Sequence, residues 1–245
     1  MNNSNERVKV FDDVFEQDLF LKISNYVKSL EYKELTGDVS YNDSAENPSQ
    51  AERGCILPAL PIDNLLPAEL INSPIMNEIP LHPTGTPLDS VVEMVDRNVK
   101  SCEDIIGTKG KDWVAVVCTP YNYKSGERLA WHTDSEIYSG AFILYAHENW
   151  DIEWGGELLY SNVNASDIFN PNTKVDAEKK LKRLEQGKYI NPLPNRLVVI
   201  GAGTPHKVSN VTLSAEDNMR VSVAGFFITP KGLDKFIPQI LDNVN

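Results

Sequence analysis

The short segment His132-Thr133-Asp134 and the distant His206 carry side chains that bind transition metals. Side chains two positions apart on a strand share a face, so the imidazole of His132 and the carboxylate of Asp134 can reach one ion. A histidine from another strand would complete one triangular face of an octahedral metal. Two histidines and one carboxylate leave positions open, which suits Fe(II) that must bind an organic cosubstrate and O₂ together. The spacing therefore indicates a non-haem iron site.

Arg220 lies on an apolar stretch that predicts a buried strand. Its apolar neighbours are Val221, Val223, Phe226, Phe227 and Ile228. A buried guanidinium is costly unless an anion pairs with it, and its planar fork suits a carboxylate held by two hydrogen bonds. Ser222 is two residues further on, on the same face, and can donate its hydroxyl to that anion. Together these residues predict a carboxylate site near the metal.

A series of motifs extends this pattern beyond the metal ligands. In chain order they are Tyr123-x-x-Gly126, Trp131-His132-Thr133-Asp134, Phe142-Ile143-Leu144-Tyr145, Trp154-Gly155-Gly156-Glu157-Leu158, Val198-Val199-Ile200, His206 and Arg220-Val221-Ser222. They resemble the successive core strands of the Fe(II)- and 2-oxoglutarate-dependent oxygenases, in the branch similar to prolyl 4-hydroxylases. The resemblance runs from Val114 to Ile228, which is roughly half of the chain.

The resemblance implies a ligand set and two cosubstrates. His132, Asp134 and His206 would hold Fe(II), while 2-oxoglutarate would occupy two further iron positions and O₂ the last. The C5 carboxylate of 2-oxoglutarate would pair with Arg220 and Ser222. The products would be succinate, CO₂ and a hydroxylated substrate, and the resemblance also allows for stimulation by ascorbate.

Three of the candidate residues have simple structural alternatives. The resemblance places Tyr123 and Tyr145 where relatives have tyrosines against 2-oxoglutarate, but a tyrosine in a strand is more often a packing residue. Asp134 suits a turn, because Thr-Asp-Ser is favourable turn chemistry. Halogenating relatives, however, have Gly or Ala at the position of Asp134. The retained carboxylate therefore implies hydroxylation and not halogenation.

The remaining histidines and the tryptophans carry weaker signals. His82 lies in a Pro-rich loop and is expected to be exposed, whereas His147 follows the strand that ends at Tyr145 and faces either the pocket mouth or solvent. Core or turn anchors are expected at Trp131, Trp150 and Trp154, with a tight bend at Gly155-Gly156.

Two amphipathic helices are predicted ahead of the strands that must position these residues. Asp12-Asp13 offers an N-cap to the first, whose apolar positions recur from Phe15 to Leu30. The second begins after Pro87 and ends at Gly107. The stretch between them, Tyr32 to about Pro87, is rich in Pro, Asn, Ser and Asp, and we interpret it as an irregular cover near the substrate entrance.

From Trp113 onward the pattern changes to strands. They are predicted at Val114–Val117, Ala141–Tyr145, Glu157–Tyr160, Arg196–Ile200 and Arg220–Ile228. The charged stretch Val175 to Gln186 predicts a surface helix inserted between strands. Helices followed by a run of strands favour an α+β, mainly β fold: a double-stranded β-helix, or jelly roll, with flanking N-terminal helices.

Length and composition are consistent with one domain. A chain of 245 residues can form one large core, with a helical flank and cover in residues 1–110, a jelly-roll catalytic core in 111–230 and a C-terminal tail in 231–245. The net charge of −12 disfavours a nucleic-acid partner. We expect a cytoplasmic protein without a membrane anchor, because no leader and no long apolar run occurs. The sequence does not indicate the oligomeric state.

The three cysteines are odd in number and lack metal-binding spacing. They predict neither a disulfide framework nor a zinc site. We expect buried, reduced thiols that pack as small apolar groups.

The substrate is the least determined feature. A small molecule, such as a free amino acid or a related metabolite, is the first expectation, because residues 32–87 and the segment from about Asn162 can close over a pocket. A loop can also dock a peptide, and the motifs resemble microbial hydroxylases of protein prolyl residues. Hydroxylation of a protein residue is therefore the alternative. A non-catalytic jelly-roll binding module is a further alternative, although intact ligands and Arg220 argue against it.

Overall fold

Two antiparallel sheets form the centre of the protein. The computed structural model describes residues 6–34, 48–162 and 187–235. In this part of the chain the strands are β1 (Val8–Phe11), β2 (Tyr32–Glu34), β3 (Ser49–Ala51), β4 (Cys55–Pro58), β5 (Ala115–Tyr123), β6 (Leu129–His132), β7 (Tyr138–Tyr145), β8 (Leu158–Tyr160), β9 (Lys188–Ile190), β10 (Leu197–Gly201), β11 (His206–Val208) and β12 (Arg220–Ile228). The larger sheet has the order β1-β10-β7-β12-β5-β3-β2, with β4 also paired to β5, and the smaller sheet has the order β6-β11-β8-β9.

Helices cover one face of the larger sheet. The α-helices that lie entirely within the described residues are α1 (Gln17–Lys28), α2 (Ala68–Ile71), α3 (Leu88–Asn98) and α4 (Glu103–Ile106). Apolar side chains of α1 and α3, among them Ile23 and Val91, pack into the main core with the strands. None of the helices described is long and apolar enough to cross a membrane. All three cysteines are buried and free, as predicted.

Side chains along the strands of the larger sheet point alternately to its two faces, and the two faces have different surroundings. On β12, Val221 and Val223 pack into the core beneath the helices. Arg220 and Ser222 point the other way and line a cavity that side chains of the smaller sheet also line. Two facing antiparallel sheets with helices outside one of them confirm the predicted jelly-roll class, and the sheets do not close into a barrel.

The first helix begins later than the sequence predicted. Asp12-Asp13 does not cap α1, which starts at Gln17 without a side-chain cap. Asp12 instead forms an ion pair with Arg196, with 2.5 Å between Oδ1 and Nε, and Asp13 has a φ of 51°. A tertiary ion pair has therefore overridden the local capping preference.

The second predicted helix is present but interrupted. After α3, a 3₁₀ turn at Val99–Cys102 separates it from α4. Gly107 then ends the helical segment with a φ of 77°, as predicted for a C-terminal glycine.

The stretch interpreted as irregular cover contributes three strands, which the sequence did not predict. β3 and β4 pair with β5, and β2 pairs with β3. These strands are only three or four residues long, and Pro58 stands at the end of β4, where a proline is tolerated. β1 is likewise an addition, paired to β10.

Two sequence predictions stay predictions. The helix predicted at Val175 to Gln186 lies outside the described residues. The division of the chain at residue 110 stays a prediction, although strands from both sides of it share the larger sheet.

Candidate active site

Neighbouring strands of the smaller sheet bring the three candidate metal ligands together. His132 ends β6 and His206 begins β11, and the antiparallel register pairs the two residues directly. Their ring centroids are 4.2 Å apart. Asp134 follows β6 by two residues, and one ligand atom from each of the three side chains lies within 4.8 Å of the others. One ion can contact all three side chains at once.

Backbone carbonyls orient both imidazoles. The Nδ1 of His132 is 2.8 Å from the Ala130 carbonyl oxygen, and the Nδ1 of His206 is 2.8 Å from that of Thr204. Because a carbonyl only accepts, each Nδ1 carries the proton and donates it. In the neutral form of each ring, Nε2 then has its lone pair available for a metal, which is the usual tautomer of a metal-binding histidine.

The surroundings of His132 keep its imidazole neutral. Burial, and to a lesser degree the adjacent His206 ring, lower the pKa of His132 to about 4. The nearby Asp134 carboxylate opposes this shift but does not reverse it. A neutral imidazole at pH 7 can bind a cation without first losing a proton.

Arg220 lies at the other end of the cavity and is 1% exposed. Its Nε donates to the Gly156 carbonyl at 2.8 Å, and its Nη1 is 3.5 Å from the Ser222 hydroxyl. The rings of Tyr123 and Tyr145 flank the guanidinium, with centroids 4.7 and 4.9 Å from Cζ. The register explains this arrangement, because β12 pairs Arg220 with Tyr123 on one side and Ser222 with Tyr145 on the other.

Two buried polar atoms beside Arg220 lack hydrogen-bond partners within the described residues. They are the Nη2 of Arg220 and the hydroxyl of Tyr145. Burial, the main influence, raises the pKa of Tyr145, so its hydroxyl keeps its proton and can donate it. A buried guanidinium edge and a buried phenol donor together suit a ligand carboxylate. The site therefore fits the distal carboxylate of a dicarboxylic acid.

A cavity of about 300 Å³ connects the two sites. Both sheets line it, and of the candidate residues all but the fully buried Tyr145 contribute to its wall. The wall also includes Pro48, Tyr121, Leu129, Ile143, Leu158, Val208 and Phe226. The sequence interpretation missed Tyr121, which shares its face of β5 with Tyr123 two residues further on. That spacing was the available signal, but it became informative only once β5 was known to border the cavity.

Comparison with known proteins shows which family has this arrangement of residues. Residues 118–228 match the sequence model of the 2OG-Fe(II) oxygenase superfamily. The matched range contains the triad, Arg220, Ser222 and both tyrosines. Residues 118–228 are a 2OG-Fe(II) oxygenase domain. A search of curated proteins found no match.

Several solved structures share this fold. A prolyl-4-hydroxylase of Pseudomonas putida is similar with a TM-score of 0.56 and 14% identity, covering 91% of this chain and 92% of that chain. A prolyl hydroxylase of Trichoplax adhaerens, in complex with a hypoxia inducible factor oxygen degradation domain peptide fragment, has a TM-score of 0.56 and 14% identity over 95% and 88% of the two chains. A 2OG-Fe(II) oxygenase family oxidoreductase of Burkholderia pseudomallei has a TM-score of 0.50 and 13% identity over 91% and 85%.

The oxygenase domain makes the protein a 2-oxoglutarate-dependent dioxygenase, with Fe(II), 2-oxoglutarate and O₂ as its cofactor and cosubstrates. The described residues fit both ligands: the triad offers two imidazole nitrogens and a carboxylate, and Arg220 presents a buried Nη2 without a partner among them. The fold is that of the prolyl-4-hydroxylase structures.

The two remaining histidines lie outside the cavity. His82 is not exposed as expected: its side chain is 20% accessible and its Nε2 is 2.9 Å from a Glu93 carboxylate oxygen. His147 faces neither the pocket mouth nor solvent, being 2% exposed. Its ring nitrogens lie 3.1 and 2.6 Å from the carbonyl oxygens of Val221 and Pro192.

His147 gives the protein a predicted sensitivity to acid. Burial, the largest influence, lowers the pKa of His147 from 6.5 to about 4. Between these values the unfolded chain binds a proton that the native state does not, so the free energy of unfolding falls as the pH drops from 6.5 to 4. A shift of this size corresponds to about 3 kcal/mol. Urea denaturation at several pH values should show this loss in the free energy of unfolding. In His147→Asn the free energy of unfolding should depend less steeply on pH.

His147→Asn removes the titrating group but keeps a polar side chain. All other titratable groups are the same in the two proteins. An equal or steeper loss of stability in His147→Asn between pH 6.5 and 4 would contradict the assignment.

Proposed function

We propose that the protein hydroxylates an aliphatic C–H of a small molecule, such as a free amino acid or a related metabolite. The observation that carries this proposal is a cavity that joins the triad to the buried guanidinium of Arg220, whose Nη2 has no partner among the described residues. Its volume of about 300 Å³ suits a small group beside the cosubstrate. Between its two polar ends the cavity is lined mostly by aliphatic and aromatic side chains. Such a lining favours the binding of an uncharged aliphatic group of the substrate.

In this proposal each polar residue has one task. His132, Asp134 and His206 hold the iron, while Arg220 and Ser222 bind the C5 carboxylate of 2-oxoglutarate. Iron, 2-oxoglutarate and O₂ would together supply the oxidising chemistry: one oxygen atom of O₂ would be used in converting 2-oxoglutarate to succinate and CO₂, and the other would enter the C–H bond.

The tyrosines and the apolar wall support this arrangement. Tyr145 donates its hydroxyl to the C5 carboxylate, and Tyr123 packs on the opposite face of the guanidinium. Leu158, Ile143 and Val208 form apolar walls that keep water from the reacting centre. The protein's part is thus orientation and the exclusion of water.

Hydroxylation of a protein residue, of the prolyl type, is the second candidate. The observation that favours it is the likeness in fold to the Trichoplax adhaerens prolyl hydroxylase, which binds a peptide fragment. A side chain inserted from a docked peptide would meet the same apolar wall as a free metabolite. A non-catalytic binding module ranks third, because such a module needs neither a complete triad nor a buried carboxylate site.

The reaction product separates these candidates. We expect succinate release from 2-oxoglutarate to rise with an accepted substrate, and the product to gain one oxygen atom from labelled O₂. Because Asp134 retains its carboxylate at the iron, chloride should not enter the product even in excess. Mass spectrometry of reactions with free amino acids, related metabolites and proline-containing peptides measures both outcomes.

A peptide product without any metabolite product would move the assignment to the second candidate. A chlorinated product from the unmodified protein would overturn the role of Asp134. Absence of succinate formation with every substrate, in the iron-loaded protein, would support the binding module.

A further inference from the structure

The bend Gly155-Gly156 touches Arg220 directly. It follows the 3₁₀ turn Ile152–Trp154 and precedes β8, and both glycines have left-handed φ values of 72° and 73°. The carbonyl of Gly156 accepts the 2.8 Å hydrogen bond from the Nε of Arg220. One side of the guanidinium is thereby fixed to the backbone of the bend, and the Nη1–Nη2 edge remains for a ligand.

The space beside Gly156 is filled by the same arginine. A Cβ on Gly156 would lie 2.7 Å from the Cδ of Arg220 and 3.4 Å from the Cζ2 of Trp150. A carbon–carbon distance of 2.7 Å is a clash, so the arginine stem would have to move. The rings of Tyr123 and Tyr145 flank its guanidinium and restrict where it can go.

Independent contacts fix the bend itself. The indole Nε1 of Trp150 donates to the Gly155 carbonyl at 2.9 Å, and the Gly156 amide donates to the Asn210 carbonyl at 3.2 Å. The next residue, Glu157, donates its amide to the Ser209 hydroxyl at 3.0 Å. The direction of the Gly156 carbonyl is therefore set before any ligand binds.

We propose that Gly156 is a positioning residue for 2-oxoglutarate, acting through Arg220. Its carbonyl holds Nε, and its missing side chain leaves room for the arginine stem, so the outer guanidinium edge faces the cavity in the orientation that binds a carboxylate by two hydrogen bonds. This inference rests on the proposed role of Arg220 as the anchor of the C5 carboxylate.

The test compares Gly156→Ala with Gly85→Ala. Gly85 has nearly the same φ of 74°, but a Cβ there meets nothing within 4 Å, so this control carries the backbone strain without the clash. Calorimetric titration of 2-oxoglutarate into anaerobic, Fe(II)-loaded protein should give a Kd raised by about tenfold or more in Gly156→Ala, since overpacking forces the arginine out of place. Gly85→Ala should bind 2-oxoglutarate as the unmodified protein does.

Two further measurements distinguish positioning from general damage. Fe(II) affinity should be unchanged in Gly156→Ala, and so should binding of 2-oxobutyrate, which keeps the 2-oxo acid group but lacks the distal carboxylate. With an accepted substrate, the KM for 2-oxoglutarate should rise while kcat at saturation is preserved. Equal weakening of both 2-oxo acids, or an unchanged Kd for 2-oxoglutarate, would overturn the inference.

Two more variants keep the test decisive. If Gly156→Ala does not fold, Trp150→Phe releases the Gly155 carbonyl and should raise the 2-oxoglutarate Kd with Fe(II) binding intact, whereas an unchanged Kd overturns the inference. Arg220→Ala tests the underlying role separately. If Arg220→Ala binds normally, the proposed anchor fails; if only Gly156→Ala binds normally, the anchor stands and the positioning role fails.

Discussion

Replacement of Arg220 by alanine is expected to raise the 2-oxoglutarate concentration needed for half-maximal turnover by two orders of magnitude or more. The guanidinium is buried between two tyrosine rings, and its Nη2 has no partner among the described residues. Removal of one partner of a buried charge pair commonly costs about 3–5 kcal/mol, and each 1.4 kcal/mol is about tenfold in affinity. Succinate release measured over a range of 2-oxoglutarate concentrations gives the change.

Two milder variants separate the charge from the geometry. Arg220→Lys keeps the charge but loses the planar fork, so its effect should be intermediate. Ser222→Ala removes one hydroxyl that lies 3.5 Å from Nη1 and should have a smaller effect. An unchanged 2-oxoglutarate dependence in Arg220→Ala would show that another basic residue is the anchor.

Loss of either triad histidine is expected to abolish turnover while the fold survives. His132→Ala or His206→Ala leaves two candidate ligands for an ion that the three side chains surround together. The substitutions leave the apolar clusters intact, because both histidine side chains line the cavity. Anaerobic Fe(II) titration should give one ion per chain for the unmodified protein and strongly weakened binding for both variants, with unchanged circular dichroism.

His82→Ala is the matched control for the triad variants. His82 is a histidine outside the cavity and pairs with Glu93 near the surface, so its loss should leave Fe(II) binding and succinate release unaltered. Activity retained in His132→Ala or His206→Ala, after metal chelation and reconstitution with iron, would exclude that residue as a ligand.

Residue type and spacing were sufficient to predict the candidate ligands. His132 and Asp134 are only two residues apart, and this short separation keeps both side chains within reach of one ion although β6 ends at His132. The burial of Arg220 followed equally from its apolar neighbours, and β12 has the predicted bounds Arg220–Ile228. The jelly-roll class was predicted from the order of helices and strands, since periodicity is a local property that survives without tertiary information.

Several features depended on contacts between distant parts of the chain. Asp12 pairs with Arg196 instead of capping a helix, and short strands in the Pro-rich cover form because β5 offers them an edge.

His147 could not be placed from sequence, because two carbonyls from separate segments surround its ring. The contact between Gly156 and Arg220 spans 64 residues and exists only after β8 and β12 have met across the cavity. The sequence alone thus determined which residues can do the chemistry. Tertiary structure decided which backbone groups hold them in place, because those contacts join segments with no local signal for one another.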